Sequence, residues 1–303
     1  MKGKLKVFFI LLLCLLFFAP FPQITASADM GPKPSVRIAF EGLGEETCYG
    51  TLLSKNSSTG PSSAWDGDAE SGRHKGNDEY YDLDYEIWSA FVGYADTDGY
   101  YFLQEAWRVS ETKNIGWTYY PPSSFKILLY FPERNVFAVS GIYERYAFDS
   151  YYTVDMTDIR LDEADSGQRL AAERSYDYTN EILSLLARIL ATVVIEIAIA
   201  WSFGLREKKQ LWCLTGVNGA TQIVLNVLLN AINYASGQFA FIAAYFLLEI
   251  IVFAVEAAVY ALFMNRISVK QRRKRVYVGY AFVANAVSFI AGFGIALLIP
   301  GIF

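Results

Sequence analysis

The sequence holds one histidine, His74, and three cysteines. His74 lies in a polar stretch, so a membrane-embedded Ser–His protease or a His-dependent metalloprotease lacks its histidine here. A lone His74 makes no metal site. Aspartate is absent from residues 181–303, which argues against an intramembrane aspartyl protease. A glutamate-based hydrolase stays open, with no motif in its favour. Cys14 falls in an apolar leader and Cys213 in a long apolar segment. Cys48 therefore stands alone in the polar part, without a partner for an internal disulfide. It reads as a buried small hydrophobe on a strand, or else as a reactive thiol or one half of an intermolecular bridge. Basic residues are scarce over 29–180, where 13 Lys and Arg face 26 Asp and Glu. That balance argues against nucleic-acid binding.

Apolar residues are abundant, at 53% of 303, a length that suits about two domains. Residues 1–28 read as a secretory signal. Lys2, Lys4 and Lys6 precede an apolar run at 7–18, Pro20 and Pro22 end it, and Ala26-Ser27-Ala28 offers a cleavage site. Leu13 before Cys14 argues against lipidation there.

Residues 29–156 predict an all-β domain outside the cytoplasm, a β-sandwich of Ig-like or transthyretin-like kind. Val36, Ile38 and Phe40 alternate with Arg37 and Ala39, the period of a half-buried strand. Further strand-like runs are 48–53, 87–94, 100–109, 125–131, 136–140, 143–148 and 151–155, rich in residues that fit a pleated surface. A long polar loop, 54–86, interrupts them and reads as disordered or as a binding loop through Trp65 and Tyr80-Tyr81. Asp96-Thr97-Asp98-Gly99 reads as a hairpin turn or a nonclassical calcium loop. An EF-hand is ruled out, since its twelfth position is Trp107. Asp66 and Asp68 form a similar, weaker pair. Residues 157–180 read as a polar juxtamembrane linker, with a helical turn at 170–173.

Four segments are long and apolar enough to span a bilayer, which takes about 20 residues: 182–205, 211–232, 240–264 and 277–299. They predict an α-helical four-span bundle over 181–303. The loops 206–210 and 265–276 are basic, with Arg206, Lys208 and Lys209 in one and Arg266, Lys270, Arg272, Arg273, Lys274 and Arg275 in the other. Basic loops stay in the cytoplasm. Residues 29–180 are then extracytoplasmic, in agreement with the signal, in a multi-pass protein of the plasma membrane. Trp201, Trp212, Phe263 and Tyr277 fall at the inner boundary, as an aromatic belt would. The runs DMGPKPSV (29–36), CYGTLLS (48–54), FKILLYFPE (125–133), YAFDSYY (146–152) and TQIVLN (221–226) resemble an uncharacterised family of bacterial membrane proteins with a signal, an outer β domain and a C-terminal span cluster. The resemblance implies that architecture and no activity.

Each span carries a polar stripe: Arg188, Thr192 and Glu196; Asn218, Thr221, Gln222 and Asn226; Glu249 and Glu256; Asn285 and Ser288. A charge in mid-bilayer costs about 2.5 kcal/mol or more, so the stripes should face inward. The ridge of Ala284, Ser288 and Gly292 would let helices approach closely. Depth counting gives two layers. Arg188 and Glu249 form a candidate ion pair in the outer one. Glu196, Asn218, Glu256 and Asn285 form a candidate proton- or cation-binding site in the inner one, or else hydrogen-bond the bundle together. Two function classes follow. One is a non-enzymatic cell-envelope binding, sensing or accessory protein, whose outer domain meets a surface ligand or a protein partner. The other is a small proton- or cation-coupled transporter or channel subunit, which would need a homo-oligomer to widen its path. No cofactor is expected.

Overall fold

A computed structural model of the chain describes residues 32–68, 83–157, 159 and 169–298. The leader with Cys14, His74, Tyr80-Tyr81, most of the linker ahead of residue 169 and the tail 299–303 lie outside the described residues, as does the side chain of Arg188.

Two sheets form the N-terminal part. In the first, β1 (Ser35–Glu41) keeps the predicted alternation, with Val36, Ile38 and Phe40 buried. It pairs in parallel with β11 (Asp149–Asp155), Ser35 facing Asp149 and Glu41 facing Asp155. β7 (Asn114–Trp117), a strand the sequence reading missed, pairs antiparallel on its other side. β13 (Ala172–Arg174) extends the sheet beyond β11. The second sheet is centred on β8 (Ser124–Phe131), between β2 (Tyr49–Ser54) and β9 (Val136–Ser140). The short strands β5 (Tyr101–Phe102), β6 (Trp107–Arg108), β10 (Tyr143–Glu144) and β12 (Arg169–Leu170) complete it. Phe125, Ile127, Leu129 and Phe131 of β8 share one core with β1, β7 and β11. The two sheets therefore pack face to face.

The opposite face of β8 explains the main error of the sequence reading. Residues 87–94 are not a strand: Tyr85–Gly93 is a helix, α1. Its Ile87, Trp88 and Phe91 cover Leu128 and Tyr130 of β8 and Leu53 of β2. The signals were present in Asp84, whose carboxylate accepts the Glu86 N–H as N-cap, and in the acidic first turn. The expected strand 100–109 shrinks to β5 and β6, because Gln104 between them takes a left-handed φ of 63°. The strand expected at 143–148 is only two residues long. The polar loop begins with a small hairpin of β3 (Ser58–Thr59) and β4 (Ser62–Ser63). The expected helical turn at 170–173 is strand, and this stretch of the supposed linker supplies β12 and β13, one to each sheet.

The C-terminal part is helical: α3 (Tyr178–Ser202), α4 (Lys208–Ile267) and α5 (Lys274–Leu298). A four-residue helix, α2 (Val109–Thr112), precedes β7. Among the described residues, three helices are long and apolar enough to cross a membrane. As one rod, the 60 residues of α4 would run about 90 Å. Its ends meet instead: Gln210 Nε2 donates to Ser268 Oγ at 2.8 Å. The break is Gly237, with φ 78° and ψ 178°, so α4 is a hairpin of two arms. The connection expected at 233–239 is thus a single glycine.

The opposite end of the bundle is tied by side chains. Gly204, with φ 73°, ends α3 in a Schellman turn, where Leu205 N–H bonds Ala200 O and Gly204 N–H bonds Trp201 O. Arg272 donates to the carbonyls of Phe203 and Gly204 at 2.9 and 2.8 Å, a cation on a helix C-terminus. Glu207 accepts the N–H groups of Val269 and Lys270, which hold its carboxyl below the usual range. Trp201, Trp212 and Phe263 are exposed as a belt requires. Tyr277 is not part of it: it is buried and donates to Asn265 Oδ1.

Candidate functional site

Helical periodicity places Asn218 and Thr221 on one face of the first arm of α4, and Glu249, Glu256 and Tyr260 on one face of the second. These faces meet α3 and α5. Glu196, Asn218, Glu256 and Asn285, named from the sequence, are all buried, with exposures of 2%, 1%, 0% and 5%. Glu256 is the best partnered. Thr221 Oγ1 donates to Glu256 Oε1 at 2.7 Å, and Asn285 Nδ2 donates to Glu256 Oε2 at 2.8 Å. Asn285 Nδ2 also bonds Ala281 O. Glu196 has less. Tyr280 OH reaches its Oε2 at a long 3.4 Å, and its Oε1 has no partner. Asn218 lies beside Glu196 without closing a hydrogen bond, and both ends of its amide are unpartnered.

The sequence reading missed two members, Tyr260 and Tyr280. Both are fully buried, with ring centroids 5.7 Å apart. The signal was there: Tyr260 follows Glu256 by one turn, so the two share a face. The Tyr260 hydroxyl is unpartnered. Gln222 and Asn226 bond each other within their own helix, Asn226 Nδ2 donating to Gln222 O at 2.8 Å. The small-residue ridge of α5 behaves as expected. A Cβ on Gly292 would lie 3.0 Å from the Tyr245 hydroxyl.

Glu249 stands apart from the buried group. It is half-buried and lines a cleft of about 220 Å³ with Phe246, Ile250, Phe253, Phe282 and Asn285. Its expected pairing with Arg188 lies outside the described side chains.

At the far end of the bundle the β-rich part meets the α4 hairpin. Phe148 N–H donates to Tyr234 O at 2.8 Å. The Phe148 ring sits over Gly237, where any Cβ would lie 2.6 Å from it. Tyr146 and Tyr176 pack their rings on Tyr234, at 6.3 and 5.5 Å.

The remaining candidates of the β-rich part resolve into structure. Asp96-Thr97-Asp98-Gly99 is neither a hairpin turn nor a calcium loop. It joins α1 to β5, Asp96 Oδ2 accepts the Asp98 and Tyr100 N–H groups, and Lys126 Nζ lies 2.7 Å from Asp96 and 2.5 Å from Asp98. The ammonium stands where a metal would have to. Among the described residues no group of three or more His, Cys, Asp or Glu could hold a metal ion. Asp66 Oδ1 accepts the Asp68 N–H, closing a local turn. Trp65 lies edge-on to Trp88 at 5.5 Å and so packs on α1. Cys48 is fully buried, and burial pushes its thiol up to about 12.

One further recess lies on the β-rich part, a cavity of about 310 Å³ lined by Lys55, Asn56, Thr59, Tyr120 and Arg145 among others. Tyr120 projects its exposed ring from a left-handed backbone, φ 50°, held by Gly60 and by Thr59 Oγ1 on its carbonyl. No family model, curated protein or solved structure matches the chain.

Proposed function

We propose that the chain is a non-enzymatic, multi-pass protein of the bacterial plasma membrane that binds or senses a component of the cell envelope. In this reading α3, the two arms of α4 and α5 are four spans. Residues 29–180 lie outside and the basic loops 206–210 and 265–276 lie in the cytoplasm. Two sheets sharing one core favour a sandwich of Ig-like or transthyretin-like kind for the outer module.

The observation that carries the reading is the seat of Phe148 on Gly237. The glycine is the one residue at which the 60-residue helix turns back. A ligand that shifts the loop 146–148 therefore presses on the hinge of the bundle, the kind of element that relays a local event. The cavity beside Tyr120 and Arg145 is where an envelope component would enter. Arg145 is joined to the same loop, and its own N–H bonds Ser123 O.

A small proton- or cation-coupled transporter or channel subunit is the second reading, favoured by the unpartnered carboxyl oxygen of Glu196. Against it, Glu196 and Glu256 are sealed, at 2% and 0% exposure. The test uses the full chain in nanodiscs. Envelope fractions are offered to it, and amide exchange at residues 234–240 is compared before and after. Retained material that alters exchange there supports sensing. No retained material, together with proton or sodium flux that Glu256→Gln abolishes in proteoliposomes, overturns it in favour of transport.

A further inference from the structure

Among the described residues, four buried side-chain oxygens have no partner: Glu196 Oε1 from α3, Asn218 Oδ1 from the first arm of α4, the Tyr260 hydroxyl from the second arm, and Asn285 Oδ1 from α5. Several observations make neighbours of the first three. Asn218 lies beside Glu196. Tyr280, whose hydroxyl reaches the Glu196 carboxyl, packs its ring 5.7 Å from that of Tyr260. Thr221 bonds both Asn218 O and Glu256, which ties the first arm to the second one turn from Tyr260. A buried polar atom left unpaired keeps its desolvation cost uncompensated. Three such atoms on neighbouring side chains carry a standing cost that a single shared ligand would remove.

We propose that these three oxygens bind one monovalent cation of the sodium class. All three atoms are hard oxygen ligands, suited to a hard cation. The charge follows from the partners. Both oxygens of Glu256 are held by Thr221 and Asn285, so Glu196 alone offers an uncommitted oxygen. With a proton held between Glu256 Oε1 and Thr221 Oγ1, the Glu196 carboxylate and one monovalent cation leave the site neutral in a low dielectric, whereas a divalent ion would leave a net charge buried. The Asn218 amide nitrogen is a donor and stays outside the ion's shell. The site is sealed, so the cation acts as a clasp between α3 and the hairpin rather than as a passenger. The proposal holds whether the outer module senses a ligand or not.

The test is thermal unfolding of the full-length protein in detergent. Sodium is titrated against N-methylglucamine at constant ionic strength. A saturable rise in Tm with sodium is expected. Glu249→Gln keeps the effect. Asn218→Ala abolishes it. Tyr260→Phe, which preserves packing and guards against misfolding of the first variant, raises the half-saturating concentration at least about tenfold, the loss of one ligand oxygen. A Tm independent of sodium in the unmodified protein means that a water or a proton fills the space, and overturns the proposal. So does sodium dependence that survives in both Asn218→Ala and Tyr260→Phe.

Discussion

Lys126 shows how one buried side chain fixes local structure. It lies on the face of β8 shared with Leu128 and Tyr130, with its side chain 4% exposed and that of Asp96 1% exposed. Burial alone pulls the ammonium down, but its hydrogen bonds to Asp96 and Asp98 and their charges outweigh that and leave it raised. A raised lysine stabilises the fold fully below its unfolded value of about 10.4, and loses that contribution only as pH rises through the folded value. The pair therefore holds across the neutral range and fails only in strong alkali. Lys126→Met should cost about 3–5 kcal/mol by leaving Asp96 buried and unpaired, and Lys126→Met with Asp96→Leu should recover much of it. Urea unfolding of the outer module checks both. Asp98, with a side chain 56% exposed, adds little by comparison. Cys48 permits a second expectation at this scale. Its thiol is buried and held up at about 12, so thiolate is scarce at pH 8. Peptide mapping after a maleimide pulse at pH 8 should find Cys48 unmodified in the folded protein and modified in denaturant. Modification of the folded state would return Cys48 to the reactive class.

Among the elements, α4 depends most on one residue. Gly237 has φ 78° and ψ 178°, a region only glycine occupies freely, which costs other residues about 1–3 kcal/mol. A Cβ there would also meet the Phe148 ring. Gly237→Ala should therefore loosen the hinge and unseat the β module together. Faster amide exchange at Phe148 and at residues 234–240, with unchanged exchange around Gln210 and Ser268, is the expected pattern. Unchanged exchange at Phe148 would mean that the seat does not matter. The hinge also shows what the sequence could and could not tell. The long apolar helices were legible as runs of apolar residues, and Glu196, Asn218, Glu256 and Asn285, named for facing inward, are buried. The stretch 233–239 read as a connection between two segments, yet the helix continues through all but Gly237, because tertiary contacts at both ends of α4 set the turn. α1 was misread because Ile87, Trp88, Phe91 and Val92 favour strands as strongly as helices. The outer face of β8, which needs a helical cover, cannot be seen from residues 87–94 alone. Tyr260 was missed because its place one turn after Glu256 was the only sign, and a tyrosine in an apolar run reads as packing.

For the whole molecule, the question is where the β-rich module ends. A boundary at residue 156 follows from the strand-like runs, and the polar residues after it look like a linker. The sheets continue beyond it. β12 pairs with β9, and β13 pairs with β11. Leu170 is 1% exposed in the core between the sheets, a burial worth about 1.5–3 kcal/mol by itself. Three further ties reach back from this stretch. Ala172 N–H donates to the Tyr143 hydroxyl at 2.7 Å, Ser175 N–H donates to Tyr151 O at 3.0 Å, and the Arg174 guanidinium lies 4.6 Å from the Tyr146 ring centroid. Cutting at 156 would remove all of these and bare the edges of β9 and β11, which then invite pairing with other chains. Both cores of the module are lined from within 33–177, and it meets the bundle chiefly through Tyr146, Phe148 and Tyr176. A soluble fragment of residues 33–177 should thus unfold cooperatively in urea and stay monomeric. A fragment of residues 33–156 should lose more than about 2 kcal/mol or aggregate. Equal stability of the two would show that β12 and β13 merely lean on the sheets. If the longer fragment also fails to fold, the seat of Phe148 on Gly237 is needed to hold the module together, and the outer part and the bundle are one folding unit.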